Sequence, residues 1–247
     1  RRPPRTTLFP YTTLFRSLID SLKLVKDENS KNLLEKSMWQ LCRTYLISSE
    51  DVQKSVSAFK AYLIEFPESL NSVQAAYEIC NFFMKAGRTE EAILSFKNFL
   101  DGAGYKVAQN VTVESGKESP LAMHERLKKE ATFNLGKLFA GQKEYLKAIE
   151  VWQRYIAQFP DGPHWSSSQQ SILDAQYQIA EDYLLEKKYD EARNAWLKFI
   201  EKYPLDMRTC RILYTFGSIK YHNALEAKKE KKDNEIVKQT FSQALSE

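Results

Sequence analysis

The segments YLKAIEVWQRYIAQFP (145–160) and YDEARNAWLKFIEKYP (189–204) decide the fold. Each contains a small residue, an aromatic residue four positions later, a second aromatic residue three positions after that, and a proline five positions further on. Spacings of four and three place the first three side chains on one face of a helix. Because proline cannot continue a helix, it ends each segment. The two segments therefore predict two amphipathic helices of the same design.

The same pattern occurs twice nearer the start of the chain. The segment VQKSVSAFKAYLIEFP (52–67) has all four features, and TEEAILSFKNFLDG (89–102) lacks only the proline. A partner helix with its own apolar stripe precedes each of the four segments. In three partner helices a small residue stands twelve positions before the small residue of the following helix, which lets the two helices approach closely: Cys80, Gly136 and Ala180. The sequence thus predicts an all-α chain of antiparallel helix pairs.

This pattern resembles the tetratricopeptide repeat, a helix-turn-helix unit of about 34 residues. The residues that carry the resemblance, together with their equivalents, are Trp39, Gly136, Phe139, Ala148, Trp152, Tyr155 and Pro160. Arg43, Thr132 and Gln176 depart from the family pattern. The resemblance implies a right-handed α-solenoid over residues 18–247, with repeats at about 36–69, 73–102, 129–162 and 173–206 and a partial repeat at 210–247.

An insertion, residues 101–119, separates the second and third repeats. It is rich in Gly, Ser and Val, which predicts a surface loop or a short hairpin. Such an insertion in a solenoid often lies near a binding face, although a plain surface loop is the simpler interpretation. Ser119 as N-cap and Pro120 at the first helical position predict that a helix begins there.

The first 17 residues, RRPPRTTLFPYTTLFRS, differ from the rest of the chain. They have no evident helical period and contain four arginines but no acidic residue. The stretch 7–17 resembles the conceptual translation of a common sequencing adapter, which predicts a non-native, disordered arm. The alternatives are a natural basic arm or a truncated transit peptide. Neither end of the repeat region resembles the polar cap that a solenoid needs, so a fragment of a longer protein is expected.

The net charge of +4 belongs to this arm. Removing its four arginines from the 36 basic residues leaves 32, which equals the number of acidic residues. No basic stripe remains to attract phosphates, so the sequence predicts no nucleic-acid binding. No apolar stretch is long enough for a predicted membrane span.

Catalytic and metal-binding patterns are not found in the sequence. It contains no HExxH, no phosphate-binding glycine loop and no GxSxG. The three histidines are far apart and are interpreted as solvated surface residues: His124, His164 and His222. The three cysteines lie in apolar helical patterns, which predicts buried free thiols: Cys42, Cys80 and Cys210. The sequence therefore predicts a protein that is not an enzyme and has no cofactor or metal.

The resemblance implies a binding surface, because the first helix of each repeat lines the concave face of a tetratricopeptide stack. The candidate contact residues are Gln40, Thr44, Tyr77, Asn81, Phe133, Lys137, Tyr177 and Glu181. Three of them, at equivalent positions, form either a ladder of aromatic surfaces for a peptide or part of the packing within each repeat: Tyr77, Phe133 and Tyr177. The lysine–asparagine clamp for acidic chaperone tails is absent, because Tyr77 stands where the lysine is needed.

The leading hypothesis is a non-catalytic scaffold that binds a peptide or a partner domain on this concave face. A second hypothesis is a structural part of a larger bacterial envelope protein, because KKYDEARNAWLKFIEKYPLD (187–206) resembles outer-membrane assembly lipoproteins and the helical leaders of α2-macroglobulin-like proteins. A third hypothesis is the regulatory region of an enzyme that continues beyond Glu247. The oligomeric state and the compartment stay open, with the bacterial envelope favoured over the cytoplasm.

Overall fold

The computed structural model describes residues 9–25, 27–48, 51–108, 118–229, 238, 239 and 242. These residues form ten helices and no strand, so the all-α prediction is confirmed for them. The helices are α1 (Phe9–Leu22), α2 (Glu28–Ser48), α3 (Val52–Glu65), α4 (Ser72–Lys85), α5 (Thr89–Leu100), α6 (Pro120–Gly141), α7 (Tyr145–Gln158), α8 (Trp165–Leu185), α9 (Tyr189–Lys202) and α10 (Met207–Lys229). Helices α2–α9 form four pairs, with α2, α4, α6 and α8 as first helices and α3, α5, α7 and α9 as second helices.

The chain divides into two compact units, residues 1–169 and 170–247. In the first unit, each helix from α1 to α6 packs against the next one, and α4 also packs against α6. The second unit has its own core, in which α8, α9 and α10 each contribute buried side chains: Tyr177, Ala180, Trp196, Phe199, Ile212 and Phe216.

The small and aromatic residues spaced by four and three lie on the inside of each helix pair. In α7, Ala148 and Tyr155 have no exposed surface and Trp152 is 3% exposed. The indole nitrogen of Trp152 donates to the Phe133 carbonyl at 3.3 Å. A Cβ atom at Gly136 would overlap the Trp152 ring, so the glycine allows α6 and α7 to meet at this point.

The turns between paired helices share one backbone feature. Gly87, Lys143 and Lys187 stand at equivalent positions and have φ angles of 69°, 62° and 61°. Only glycine adopts this left-handed conformation without a steric penalty from Cβ. Two of the three turns therefore retain strain that the turn at Gly87 avoids.

Residues 9–17, which belong to the arm predicted to be disordered, form the first part of α1. The apolar period becomes visible only when residues on both sides of position 17 are joined, because the face that packs on the protein carries Phe15, Ile19 and Leu22. Arg16 also donates a hydrogen bond to the Tyr45 hydroxyl at 2.5 Å. Residues 1–8 lie outside the described part, and the foreign origin of the arm stays a prediction.

The insertion is anchored at its start. Lys106 donates its backbone N–H to the Pro67 carbonyl at 2.8 Å, and its own carbonyl accepts from the Ser72 hydroxyl at 2.8 Å. At its end, the predicted cap is confirmed, since Ser119 Oγ accepts from the Ala122 N–H and Pro120 opens α6. Residues 109–117, where a hairpin would lie, are outside the described residues.

The prediction of buried free thiols holds for two of the three cysteines. Cys42 and Cys80 are buried free thiols, and desolvation raises the pKa of each to about 12, but Cys210 is exposed because it lies on the outer face of α10. No helix within the described residues is both long and apolar enough to cross a membrane. The end of the partial repeat predicted at 210–247 falls almost entirely outside the described part, which beyond residue 229 includes only 238, 239 and 242.

Candidate functional site

At two of the three equivalent aromatic positions on the first helices, the ring is buried against the second helix of its pair. Tyr77 is 8% exposed, and its ring centroid lies 5.6 Å from that of Phe99 on α5. Burial raises the pKa of Tyr77 to about 12. In the second unit Tyr177 is 9% exposed, with its centroid 5.7 Å from that of Phe199 on α9. These two rings hold their helix pairs together and offer little surface to a ligand.

Phe133, the third member of the series, is covered by a histidine. The His164 ring stacks on Phe133 with a centroid distance of 4.4 Å and an interplanar angle of 4°. His164 Nε2 lies 2.8 Å from Glu130 Oε1, and the His164 backbone N–H donates to the Tyr155 hydroxyl at 3.1 Å. The segment that follows Pro160 is thereby fixed to the middle of α6 and to Tyr155 on α7. We call this arrangement the histidine clasp.

The second unit has the same arrangement with an arginine. Arg208 Nη1 lies 2.9 Å from Asp174 Oδ1, and the guanidinium carbon lies 5.4 Å from the Tyr177 ring centroid and 5.5 Å from that of Phe199. A cation over an aromatic face is attracted by the ring electrons. We call this arrangement the arginine clasp. Both clasps join residues 34 positions apart, and in each clasp the residue that covers the ring stands four residues after the closing proline.

A third cover comes from the insertion. Tyr105 stacks on Phe99 with a centroid distance of 5.2 Å, and its hydroxyl donates to the Phe99 carbonyl at 2.8 Å. His124 Nε2 lies 2.9 Å from the same hydroxyl, and burial lowers the pKa of His124. The interpretation of His124 and His164 as solvated surface residues is therefore wrong, since both pack against aromatic rings. The aromatic partners of each histidine lie too far away in sequence for local spacing to reveal them.

The remaining candidates differ in how much surface they present. Thr44 is 8% exposed, and its hydroxyl donates to the Gln40 carbonyl one turn earlier, so it is an internal residue of α2. Gln40 and Lys137 are exposed. Asn81 is half-buried and donates to Glu78 Oε2 at 3.2 Å. Glu181, in the second unit, is also half-buried.

Two of these candidates are held by neighbours on α4 and α6. The Lys137 ammonium lies 5.9 Å from the Phe133 ring centroid. The Tyr77 hydroxyl accepts from Asn134 Nδ2 at 3.4 Å, which connects α4 to α6. A polar surface thus lies over the aromatic packing of the first unit, with Asn81, Asn134 and Lys137 as its members. We call it the first-helix surface.

A second candidate site lies on the other helices of the first unit. A cavity of about 860 Å³ has α3 and α5 as walls, α4 as floor and residues 102–106 at one end. Ile64 on α3 is 82% exposed and Leu94 on α5 is 59% exposed, and both line the cavity. We call it the second-helix groove. None of the candidate contact residues predicted from the sequence lies in this groove, because all of them are on first helices.

Within the residues that the structure describes, no three His, Cys, Asp or Glu side chains are grouped so that they could hold an ion.

Comparison with known families decides the nature of the repeats. The tetratricopeptide repeat model matches residues 130–162 and 174–206. These two segments are tetratricopeptide repeats. The first repeat spans most of α6 and all of α7, and the second spans most of α8 and all of α9. The predicted ranges begin one residue earlier. Glu130 and Asp174, the acids of the two clasps, are the first residues of the matched tetratricopeptide repeats.

Several solved structures are similar to the chain at low identity. One is a putative kinesin light chain from Podospora anserina with nearly identical TPR-like repeats, at 15% identity and a TM-score of 0.36, covering 82% of this chain and 97% of that one. The MamA protein has 16% identity and a TM-score of 0.35, with 78% and 92% covered. BtubC from P. vanneervenii has 12% identity and a TM-score of 0.39, with 95% and 91% covered. Among curated proteins, none matches this sequence.

Proposed function

We propose that this protein is a non-catalytic scaffold that binds a peptide or a partner domain through its first-helix surface. Tetratricopeptide repeats generally mediate protein–protein interaction, and two of them are present here. The observation that carries the proposal is the polar layer of Asn81, Asn134 and Lys137 above a fixed aromatic base. A rigid base lowers the conformational cost of binding, because fewer side chains must be ordered.

The chemistry of this layer suits a peptide main chain. An asparagine side chain offers both a donor and an acceptor, which matches the N–H and C=O groups of an extended backbone. Lys137 adds one cation, which favours a carboxylate on the partner. Gln40 on α2 provides a further exposed amide in the same unit. In the second unit Glu181 carries the opposite charge at the position equivalent to Lys137, so we expect selectivity to come from the first unit.

A display library of random twelve-residue peptides, selected on the full chain, tests the proposal. Selected peptides should lose about tenfold or more in affinity for the variant with Asn81→Ala and Lys137→Glu, because that variant removes an amide and reverses a charge. The matched control carries Gln153→Ala and Arg154→Glu on the exposed face of α7 and should bind normally. If the control loses as much affinity as the first-helix variant, or if neither loses any, the first-helix surface is not the binding site.

A further inference from the structure

The second-helix groove exposes more apolar surface than its position in the fold requires. Ile64 and Leu94 stand on opposite rims, and the floor is made by Ala76, Ile79 and Phe83. Soluble proteins rarely leave such a patch uncovered unless it serves an interaction. The cavity of about 860 Å³ falls in the range of roughly 300–1,000 Å³ that is typical of ligand sites.

The other second helices show that these apolar rims are not part of the repeat design. Leu94 stands two residues after the small residue of its helix, and the same position holds Glu150 in α7 and Asn194 in α9. Ile64 stands nine residues after the small residue of α3, and that position holds the smaller or charged residues Ala157 and Glu201 in the same two helices. The apolar rims are therefore a local property of α3 and α5.

The end of the groove is rigid. The backbone of Lys106 bonds to Pro67 and Ser72 on either side of the turn before α4, as described above. Tyr105 stacks on Phe99, and both residues line the cavity. A site whose walls are already fixed binds without the cost of ordering them.

The charges around the groove are not balanced. Glu91 is neutralised by an ion pair with Arg88, and Lys106 pairs with Glu68 at 2.6 Å. Lys60, which also lines the cavity, is exposed and takes part in no ion pair among the described residues. The groove thus presents apolar walls beside one uncompensated positive charge.

We propose that the second-helix groove is a separate docking surface for a protein segment that presents large apolar side chains next to a carboxylate. The apolar side chains fill the space between Ile64 and Leu94, and the carboxylate pairs with Lys60. An amphipathic helix that lays its apolar face in a groove of this kind is a recurrent mode of recognition. The apolar rims of the groove lie on α3 and α5, and α4 contributes Ala76, Ile79 and Phe83 to its floor but Asn81 to the first-helix surface, so the two sites share no residue.

Two synthetic amphipathic peptides test this proposal, with leucines at positions i, i+3, i+4 and i+7 and either glutamates or lysines elsewhere. Fluorescence anisotropy with the full chain should show that the glutamate peptide binds about tenfold tighter than the lysine peptide at low salt. Replacing Ile64 and Leu94 by aspartate should weaken binding of the glutamate peptide about tenfold or more. Lys60→Glu should remove the preference between the peptides.

The control is Leu146→Asp on α7, which alters a leucine that is 75% exposed in the same unit. It should leave binding unchanged, as should the Asn81→Ala and Lys137→Glu variant. Circular dichroism checks that each variant is folded. If the variant with aspartate at positions 64 and 94 does not fold, Lys60→Glu still tests the proposal. The proposal is overturned if neither peptide binds, if the peptides bind equally, or if Leu146→Asp weakens binding as strongly. Displacement of the glutamate peptide by palmitate would overturn it too, and would assign the groove to a lipid chain.

Discussion

In both tetratricopeptide repeats, a residue just after the matched segment covers the aromatic ring of the first helix, but the covering side chain differs. In the first, a histidine stacks on Phe133 in nearly parallel planes and shares a hydrogen bond with Glu130. In the second, Arg208 stands over Tyr177 and bonds to Asp174. Arg208 also bonds to Asp206 at 2.9 Å, so its clasp depends more on charge. The position and the aromatic partner therefore recur in both clasps, and the side chain that covers the ring differs.

The largest expected effect concerns position 136, where the first repeat has a glycine and the second repeat has an alanine at the equivalent position. Gly136→Ala should lower the free energy of unfolding by about 1–3 kcal/mol, because the added Cβ overlaps the Trp152 ring and forces a shift. Ala180 occupies the equivalent position in the second repeat and is fully buried. As the control, Ala180→Gly should cost only about 0.5–1 kcal/mol through helix propensity. Urea denaturation measures both, and an unchanged midpoint for Gly136→Ala would contradict the packing described here.

Removing either clasp should have the next largest effect. His164→Ala and Arg208→Ala should each cost about 1–2 kcal/mol, since each removes a ring contact and a hydrogen bond. The stability loss of the two variants should respond differently to salt. Salt screens the charged pair of Arg208 with Asp174 but not the stack on Phe133. Urea denaturation at low and high salt measures this difference. Gln153→Ala, on the exposed face of α7, is the control, and an equal salt response of the two clasp variants would refute the distinction.

The turns allow a smaller, symmetric test. Lys143→Gly in the first repeat and Lys187→Gly in the second should each stabilise the protein by about 0.5–1 kcal/mol, because glycine adopts a positive φ without strain. Gly87→Lys, the reverse change at the equivalent turn, should destabilise it. Thermal denaturation measures all three variants. If Gly87→Lys raises the melting temperature, left-handed strain is not what distinguishes these turns.

The smallest expected effect is that mild acid destabilises the first unit before the second. Burial lowers the pKa of His124, so the unfolded chain takes up a proton before the folded one does. Stability of the first unit should therefore fall as the pH drops below about 6.5 towards the lowered pKa. In the second unit the hydrogen bond from Arg208 lowers the pKa of Asp206, and that stabilisation is lost only below about pH 3.9.

Hydrogen exchange followed by mass spectrometry, between pH 7 and pH 5, measures the two units separately. Peptides from α5 and α6 should lose protection before those from α9 and α10. His124→Gln should remove the difference. Simultaneous loss of protection in both units of the unaltered chain would show that His124 has no such role.

The sequence predicts the helix pairs well because their information is local. The small and aromatic residues of α7 lie within one helix, so a period of four and three is enough to find them. The clasps depend on partners 34 residues apart, and the residues next to His164 in sequence do not indicate that it contacts Phe133. The equal offsets of Glu130 to His164 and of Asp174 to Arg208 are visible in the sequence once the repeats are aligned, and could have predicted the pairing.

The candidate site was harder to predict, for a physical reason. A helical period identifies which face of a helix is apolar, but not whether an aromatic residue at its edge meets a ligand or its own partner helix. Tyr77 and Tyr177 turned out to be buried by Phe99 and Phe199. The second-helix groove depends on two helices and an anchored turn meeting at one place, which no single segment encodes.

The most direct test of the proposed scaffold function is hydrogen exchange of the full chain with and without a display-selected peptide. We predict slower exchange in peptides from α4 and α6, around Asn81, Asn134 and Lys137, with no change in α3 or at Leu94 in α5. Protection confined to α3 and α5, or no protection anywhere in the first unit, would contradict binding at the first-helix surface.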